Sequence, residues 1–171
     1  MVSMLVIALA IAVLAIMTLG LERVWSFFGP ADLGPIAFET LERRTTPNDA
    51  LACPDDLCHA KSDLTPPAYD IGADGLRQAM TRVVASEPDV TRMESVPLTE
   101  RFVQRSKWMR FPDTIVVRYI PLSADRSTIA LYSRSQLGEG DLGVNKARVA
   151  RWLDKLSREA PKSARRPLRG L

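Results

Sequence analysis

The residues best suited to bind a ligand surround a glycine-rich turn over residues 138–143. Alternating apolar residues over Thr128–Ser135 predict a half-buried strand before the turn, and an apolar face with helical spacing follows it. A helix N-terminus presents free backbone N–H groups that favour an anion, and Arg134 would add a bidentate positive group. Asp141 lies in the turn and Asn145 just after it, and both are expected to converge there with Arg134 and its two flanking serines, Ser133 and Ser135. The spacing therefore indicates a site for a phosphate, a carboxylate or a lipid head group.

The same turn also has a purely structural interpretation. Asp141 or Asn145 can cap the helix, because short polar side chains accept hydrogen bonds from its first N–H groups. Arg134 would then pair with Asp141 and close the turn. Asp141 would also repel an anion unless Arg134 neutralised its charge. Both interpretations are open at this point.

Two cysteines, Cys53 and Cys58, lie with four residues between them, and the one histidine, His59, follows directly. A structural zinc site needs four ligands, commonly from paired C-x-x-C motifs, so we expect no metal. A thioredoxin-like site has a shorter spacing between its cysteines. The pair is expected either as a disulfide that closes a short loop or as two free thiols. Free thiols would allow the alternative function, a thiol-dependent enzyme or redox factor centred on Cys58 and His59.

A basic stripe is predicted on one strand. Arg101, Arg105 and Lys107 share one face of a predicted strand over Arg101–Met109. Such a face can dock anionic lipid or a membrane-protein partner. The alternative is the solvated side of a sheet, which also carries charged residues. The stripe therefore predicts a docking surface for a membrane partner or an anionic ligand.

Other catalytic motifs are missing from the sequence, which has no P-loop, no dinucleotide fingerprint and no zinc-protease helix. Ser133 and Ser135 have only His59 as a conceivable base, and it lies far away in sequence. The net charge of +3 is small and no nucleic-acid motif accompanies it. We expect an accessory or binding module rather than an enzyme, with no cofactor and no nucleic-acid partner.

The elements that must position these residues form an α+β pattern. A helix is predicted from Asp74, its N-cap, to just before Pro88, and a second helix follows the glycine-rich turn. Strands are predicted over Thr91–Val96, Arg101–Met109, Thr114–Ile120 and Thr128–Ser135. Short connections favour an antiparallel sheet of about four strands, with both helices on one face.

The N-terminal run from Met1 to Leu21 contains no charged side chain. As a helix it would measure roughly 31 Å, enough for a hydrocarbon core of ~30 Å. Trp25, Phe27 and Phe28 follow, where interfacial aromatic residues are expected. A cleaved signal peptide is the rival interpretation, but no Lys or Arg precedes the run. We expect residues 1–29 to form a single transmembrane anchor.

The remaining chain divides into a linker over residues 30–47, a soluble domain over 48–160 and a basic tail over 161–171. The tail carries four basic residues, which either contact anionic lipid or lie free in solvent. Because a disulfide requires an oxidising compartment, we expect the domain in the periplasm, anchored to a bacterial inner membrane.

The segments FPDTIVVRYIP and STIALYSRSQLGEGDLGVNKARVARWLDKL allow a comparison with a known family. They resemble the bacterial and plastid family known as domain of unknown function 1499. That family ends in a strand, S-R-S, G-x-x-D-x-G-x-N and a helix, which here correspond to Ser133–Ser135 and Gly138–Asn145. The resemblance covers roughly Asn48 to Leu156. It implies no known catalytic residue, substrate or cofactor.

Overall fold

The structure is a computed structural model that describes residues 2–160, that is, the chain without Met1 and residues 161–171. The predicted basic tail therefore lies outside the described residues. The described chain has an α+β fold with four helices and five strands. In chain order, these are α1 (Val2–Leu19), α2 (Leu21–Ser26), β1 (Asp49–Ala52), α3 (Ala73–Ala85), β2 (Val90–Val96), β3 (Thr99–Arg105), β4 (Pro112–Pro121), β5 (Ser127–Ser135) and α4 (Val144–Glu159).

One antiparallel sheet organises the domain, with the strand order β1-β5-β4-β3-β2. The four predicted strands are present as β2 to β5, and each pairs with the next along the chain. Strand β1 is not predicted from the sequence; it pairs with β5 from Asp49 opposite Arg134 onward. Strand β1 has only four residues, all buried, so no alternation marks it in the sequence.

Helices α3 and α4 pack on one face of the sheet, as predicted. Leu76 and Met80 of α3 and Trp152 of α4 are fully buried there. The Trp152 ring meets Phe102 of β3 edge-on, with 5.9 Å between the ring centroids. These large side chains fix α4 against the sheet, and with it the glycine-rich turn that precedes α4.

Residues 30–47 cover the opposite face of the sheet, although they form no helix or strand. Phe38 is only 1% exposed and packs with Val116 and Tyr132. The interpretation of this segment as a linker outside the core is therefore corrected, since it contributes a core side chain. The expectation of a half-buried β5 is corrected for the same reason, because the Tyr132 face is buried as well.

Helix α3 begins slightly differently from the prediction. It starts at Ala73 with Gly72 as its N-cap, so Asp74 lies in the first turn and is not the cap. A Cβ at Gly72 would lie 2.6 Å from the Ala124 carbonyl oxygen. Close contact with that loop therefore requires glycine at the capping position. The helix ends at Ala85, before Pro88, as predicted.

Helix α1 exposes apolar side chains all around its axis. The exposed residues are Met4, Leu5, Val6, Ile7, Leu9, Ile11, Val13, Leu14, Ile16 and Met17. A break at Gly20, whose φ is 77°, separates α1 from α2. No helix within residues 2–160 is both long enough and apolar enough to cross a membrane. The predicted transmembrane helix is thus not supported by this structure.

Helix α2 is tied to the domain by polar contacts. The Glu22 carboxylate lies 2.7 Å from Arg110 Nη2 and 3.2 Å from Arg105 Nε. Trp25 Nε1 donates a hydrogen bond of 2.5 Å to the Met109 carbonyl oxygen. These contacts hold α2 beside the loop between β3 and β4.

Candidate functional site

The glycine-rich turn is closed by Asp141, whose side chain bonds the backbone at the start of α4, where Gly143 is the N-cap residue. Its two carboxylate oxygens accept hydrogen bonds of 2.8 Å from the backbone N–H groups of Gly143 and Asn145. Gly143 has a φ of 79°, a left-handed conformation that glycine adopts without strain. The carboxylate occupies the N–H groups that an anion would need, in agreement with the capping interpretation.

Asn145 joins the turn to β5. It is fully buried, and its side-chain amide oxygen accepts a hydrogen bond of 2.5 Å from the Ser133 hydroxyl. Its Nδ2 donates to the Ser135 hydroxyl at 2.9 Å and to the Asn48 carbonyl at 3.1 Å. The predicted convergence of both serines, Asp141 and Asn145 is therefore present.

Arg134 does not take part in this convergence. It donates hydrogen bonds to the carbonyl oxygens of Leu33 and Gly34, at 2.8 and 3.0 Å. Successive strand residues point to opposite faces, so the two serines face α4 and the arginine between them faces the segment over residues 30–47. Burial lowers the pKa of the Arg134 guanidinium from its ordinary value. Its predicted pairing with Asp141, and the anion cradle built on it, are both wrong.

The basic group that reaches the site is Arg148, which the sequence analysis missed. Arg148 is 4% exposed, and its guanidinium lies 2.6 Å from the Asp113 carboxylate. It also donates to Gln104 Oε1 at 2.7 Å, to the Ser133 hydroxyl at 2.9 Å and to Asn145 Oδ1 at 2.5 Å. Its spacing could have predicted its burial, because Arg148 lies four residues before Trp152 and therefore on the same buried face of α4.

We call this set of buried residues the polar network. Its members are Ser133, Ser135, Asn145, Arg148, Asp113 and Gln104.

The polar network continues to Glu87, just beyond the end of α3. Gln104 Nε2 donates to the Glu87 carboxylate at 3.3 Å, and Arg151 and Lys155 of α4 lie 2.8 and 2.6 Å from it. Burial by itself raises the pKa of Glu87, but hydrogen bonds from Arg151, Lys155 and Gln104 outweigh it and lower the pKa to about 2. Glu87 is therefore a carboxylate that links α3 to α4.

A groove of about 490 Å³ lies beside the polar network. Asp113 and Ser135 of the network reach its floor. Its lining residues are Trp25, Phe28, Ser106, Phe111, Asp113, Ser135, Leu137, Gly138, Gly140, Asp141 and Val144. Three aromatic rings form one wall, and the Trp25 and Phe111 centroids are 4.6 Å apart. None of these lining residues is basic, so the groove does not suit the anion that the sequence analysis expected.

The family of this chain follows from a comparison of its sequence with family models. The model described as "Protein of unknown function (DUF1499)" matches residues 35–156, more than two thirds of the chain. The chain belongs to this family. Searches of curated proteins and of solved structures gave no match. The match confirms the resemblance to domain of unknown function 1499. Membership of this family does not indicate an activity.

The match places the polar network inside the DUF1499 region. All of its residues lie within 35–156, whereas Trp25 and Phe28 precede that range. The groove therefore combines a floor from the DUF1499 domain with a wall to which both that domain and the preceding segment contribute.

The predicted basic stripe of the DUF1499 domain is not an open cationic face. Arg101 contacts Asp32 at 2.8 Å and also pairs with Glu94. Arg105 pairs with Glu22 of α2, as described above. Strand β3 ends at Arg105, so Lys107 lies in the following turn, where its amino group sits 5.1 Å from the Trp108 ring centroid. Carboxylates from neighbouring segments thus neutralise both arginines.

Cys53 and Cys58 of the DUF1499 domain are joined by a disulfide. Cys53 is fully buried beside Phe38, on the face of the sheet that residues 30–47 cover. His59, next to Cys58, is exposed. A bonded sulfur is not a nucleophilic thiolate, so this form of the protein lacks the group that the thiol-enzyme alternative requires. Among the residues that the structure describes, no group of His, Cys, Asp and Glu side chains could hold a metal ion.

Proposed function

We propose that this protein is a membrane-attached binding module whose groove takes an apolar small molecule. In this proposal α1 inserts into the membrane and the DUF1499 domain presents the groove next to it. The groove is the observation that carries the proposal, because it joins an aromatic wall to a floor of fixed polar groups.

Its size and lining support a binding role. Small-molecule sites commonly enclose about 300–1,000 Å³ and are lined mainly by apolar and aromatic side chains. The groove falls in that range, with Trp25, Phe28, Phe111, Leu137 and Val144 among its lining residues. Burial of an apolar ligand there would gain roughly 25 cal/mol for each Å² of apolar surface removed from water.

The polar floor favours binding over catalysis. The Ser133 hydroxyl donates to the Asn145 amide oxygen, and an amide is not a general base that could activate a serine. The two carboxylates of the floor are also engaged, Asp113 with Arg148 and Asp141 with the start of α4. These groups shape the floor and keep it rigid.

The attachment to a membrane rests on α1. Its exposed apolar side chains have no partner surface in the described part of the domain, and water is a poor solvent for them. A single-pass anchor in a bacterial inner membrane is the form of attachment that the sequence predicts. The Cys53–Cys58 disulfide supports an oxidising location, so we propose that the domain lies in the periplasm.

The basic stripe gives little support to docking of an anionic ligand or partner, because Arg101 and Arg105 already pair with carboxylates. We therefore base the proposal on the groove rather than on that surface.

Fluorescence quenching tests the proposal, because Trp25 lines the groove. We would hold the full chain in amphipol, replace the exposed Trp108 by phenylalanine and titrate with bromoundecanol, whose bromine quenches tryptophan on contact. The proposal predicts saturable quenching of Trp25. Val144→Asp should abolish saturation, since Val144 lines the groove.

Ala147→Asp is the matched control, because it adds the same charge to an exposed position in the same turn of α4, outside the groove lining. It should leave the quenching unchanged. Quenching that never saturates, or that is equal in both aspartate variants, would contradict the proposal.

A further inference from the structure

We infer that the mouth of the groove lies against the lipid bilayer and that its occupant is an acyl chain of a membrane lipid. This inference rests on the proposed function and names the class of its ligand.

Exposed apolar side chains occur in the groove lining and next to it in the chain. Phe28 and Val144 line the groove and are still 66% and 49% exposed. Next to lining residues in the chain, Phe27 is 77% exposed and Leu142 is fully exposed. Exposed apolar side chains that cluster at a groove mark a contact with another molecule or a membrane.

Leu142 adds a separate observation. Its backbone has a φ of 54°, which residues other than glycine rarely adopt. The side chain packs against nothing, so burial within the domain does not offset that conformation. Strained residues of this kind concentrate at ligand and partner contacts. Insertion of the side chain among lipid tails would give this leucine an apolar environment.

The turn between β3 and β4, which supplies Ser106 and Phe111 to the groove lining, also carries residues that suit the membrane interface. Trp108 is 79% exposed and follows Lys107, whose amino group lies over its ring. Tryptophan rings prefer the level of the head groups, and a neighbouring lysine can contact a lipid phosphate. A head group at Lys107 would leave its acyl chain free to enter the groove, whose lining has no basic residue.

The connection to α1 keeps the mouth close to the membrane. Only Gly20 separates α1 from α2, and α2 is a single short helix of six residues, about 9 Å long. Trp25 and Phe28, which form part of the groove wall, therefore lie immediately beyond the helix that we propose to insert. The contacts of Glu22 and Trp25 with the domain hold this arrangement in place.

Brominated phospholipids test the inference on the full chain in phosphatidylcholine vesicles. Bromine is carried either near the head group or near the middle of the acyl chain. In the Trp25→Phe variant, Trp108 should be quenched more by the shallow bromine, as expected for a ring at the interface. In the Trp108→Phe variant, Trp25 should be quenched, and Val144→Asp should remove most of that quenching while Ala147→Asp should not.

Two checks distinguish an acyl chain bound in the groove from a groove that only lies close to the bilayer. The variant lacking both Trp25 and Trp108 reports only the buried Trp152 and should show little quenching. Trp108 should stay quenched when Val144→Asp is added, because the mouth still faces the bilayer.

The inference fails if Trp108 is not quenched, or if Val144→Asp leaves the quenching of Trp25 unchanged. If bromoundecanol still binds saturably in amphipol in that case, the proposed function stands and the ligand comes from solution instead. Absence of both signals would overturn the inference and the proposed function together.

Discussion

Arg148 and Asp113 form a buried ion pair at the floor of the groove, with 2.6 Å between Arg148 Nη2 and Asp113 Oδ2. Both side chains are less than 10% exposed, and Arg148 also bonds Gln104, Ser133 and Asn145. One guanidinium thus ties α4 to three strands of the sheet.

Replacement of Arg148 should therefore be costly. Arg148→Met leaves Asp113 as a buried charge without its partner, and such changes destabilise proteins by about 3–5 kcal/mol. Urea unfolding of the full chain in detergent, followed through its tryptophan fluorescence, measures the change. Arg158→Met is the matched control on the same helix, because Arg158 pairs with Asp154 on the exposed surface. It should cost less than about 1 kcal/mol. Equal losses in both variants would contradict the role assigned to Arg148.

Glu87 should make the stability depend on acid pH. Its pKa falls from an ordinary 4.5 to about 2 in the folded protein. A lowered pKa stabilises the fold above the unfolded value, so this contribution is complete above about pH 4.5 and is lost as the pH falls toward 2. Urea midpoints measured across this range should drop more steeply for the natural chain than for Glu87→Gln.

The matched control for this experiment is Glu159→Gln, which removes an exposed ion pair with Arg82. Its pH profile should resemble that of the natural chain. A natural profile as flat as that of Glu87→Gln would show that Glu87 has no linkage to folding.

Two glycines of the turn should respond differently to alanine. Gly143 has a φ of 79° although the space around it is open, so Gly143→Ala should cost about 1–2 kcal/mol through backbone strain alone. Gly140 also has open space but no positive φ, so Gly140→Ala should be neutral or slightly stabilising. The same unfolding assay compares the two variants. A neutral Gly143→Ala would mean that the turn does not need the left-handed conformation.

The disulfide should contribute modestly to stability. Cys58 follows Cys53 at a sequence separation of 5, and closure of so short a loop is worth about 2 kcal/mol in the chain-entropy model. A reductant should lower the melting temperature of the natural chain. The double variant Cys53→Ala, Cys58→Ala should melt at the same temperature with and without reductant. If the reductant left the melting temperature of the natural chain unchanged, the disulfide would not contribute to stability.

The sequence predicted what depends on local patterns. Helical spacing identified α3 and α4, and alternation with short turns identified β2 to β5 and their antiparallel order. It could not predict β1 or the burial of Phe38, because both depend on contacts with segments that are distant in the sequence. Arg134 was misassigned for a related reason. An arginine beside the turn suggested an anion-binding residue. Because side chains alternate between the two faces of β5, Arg134 points away from the face that Asn145 contacts.

The groove could not be predicted from local sequence patterns either. Its floor comes from the sheet and the glycine-rich turn, and Trp25 comes from a helix that precedes the domain. Each part can be predicted from the sequence, but the contact between α2 and the domain cannot. That contact depends on the pairing of Glu22 with Arg105 and Arg110. Those two arginines are far from Glu22 in the chain, so spacing alone carries no signal for the contact.

Native mass spectrometry of the purified full chain tests the central claim most directly, because it detects a molecule that stays bound in the groove. We predict one added mass from an apolar small molecule on the natural chain and on Ala147→Asp, and its loss on Val144→Asp. A natural chain that carries no such mass, even after incubation with phosphatidylcholine vesicles or bromoundecanol, would contradict the claim that the groove binds a ligand.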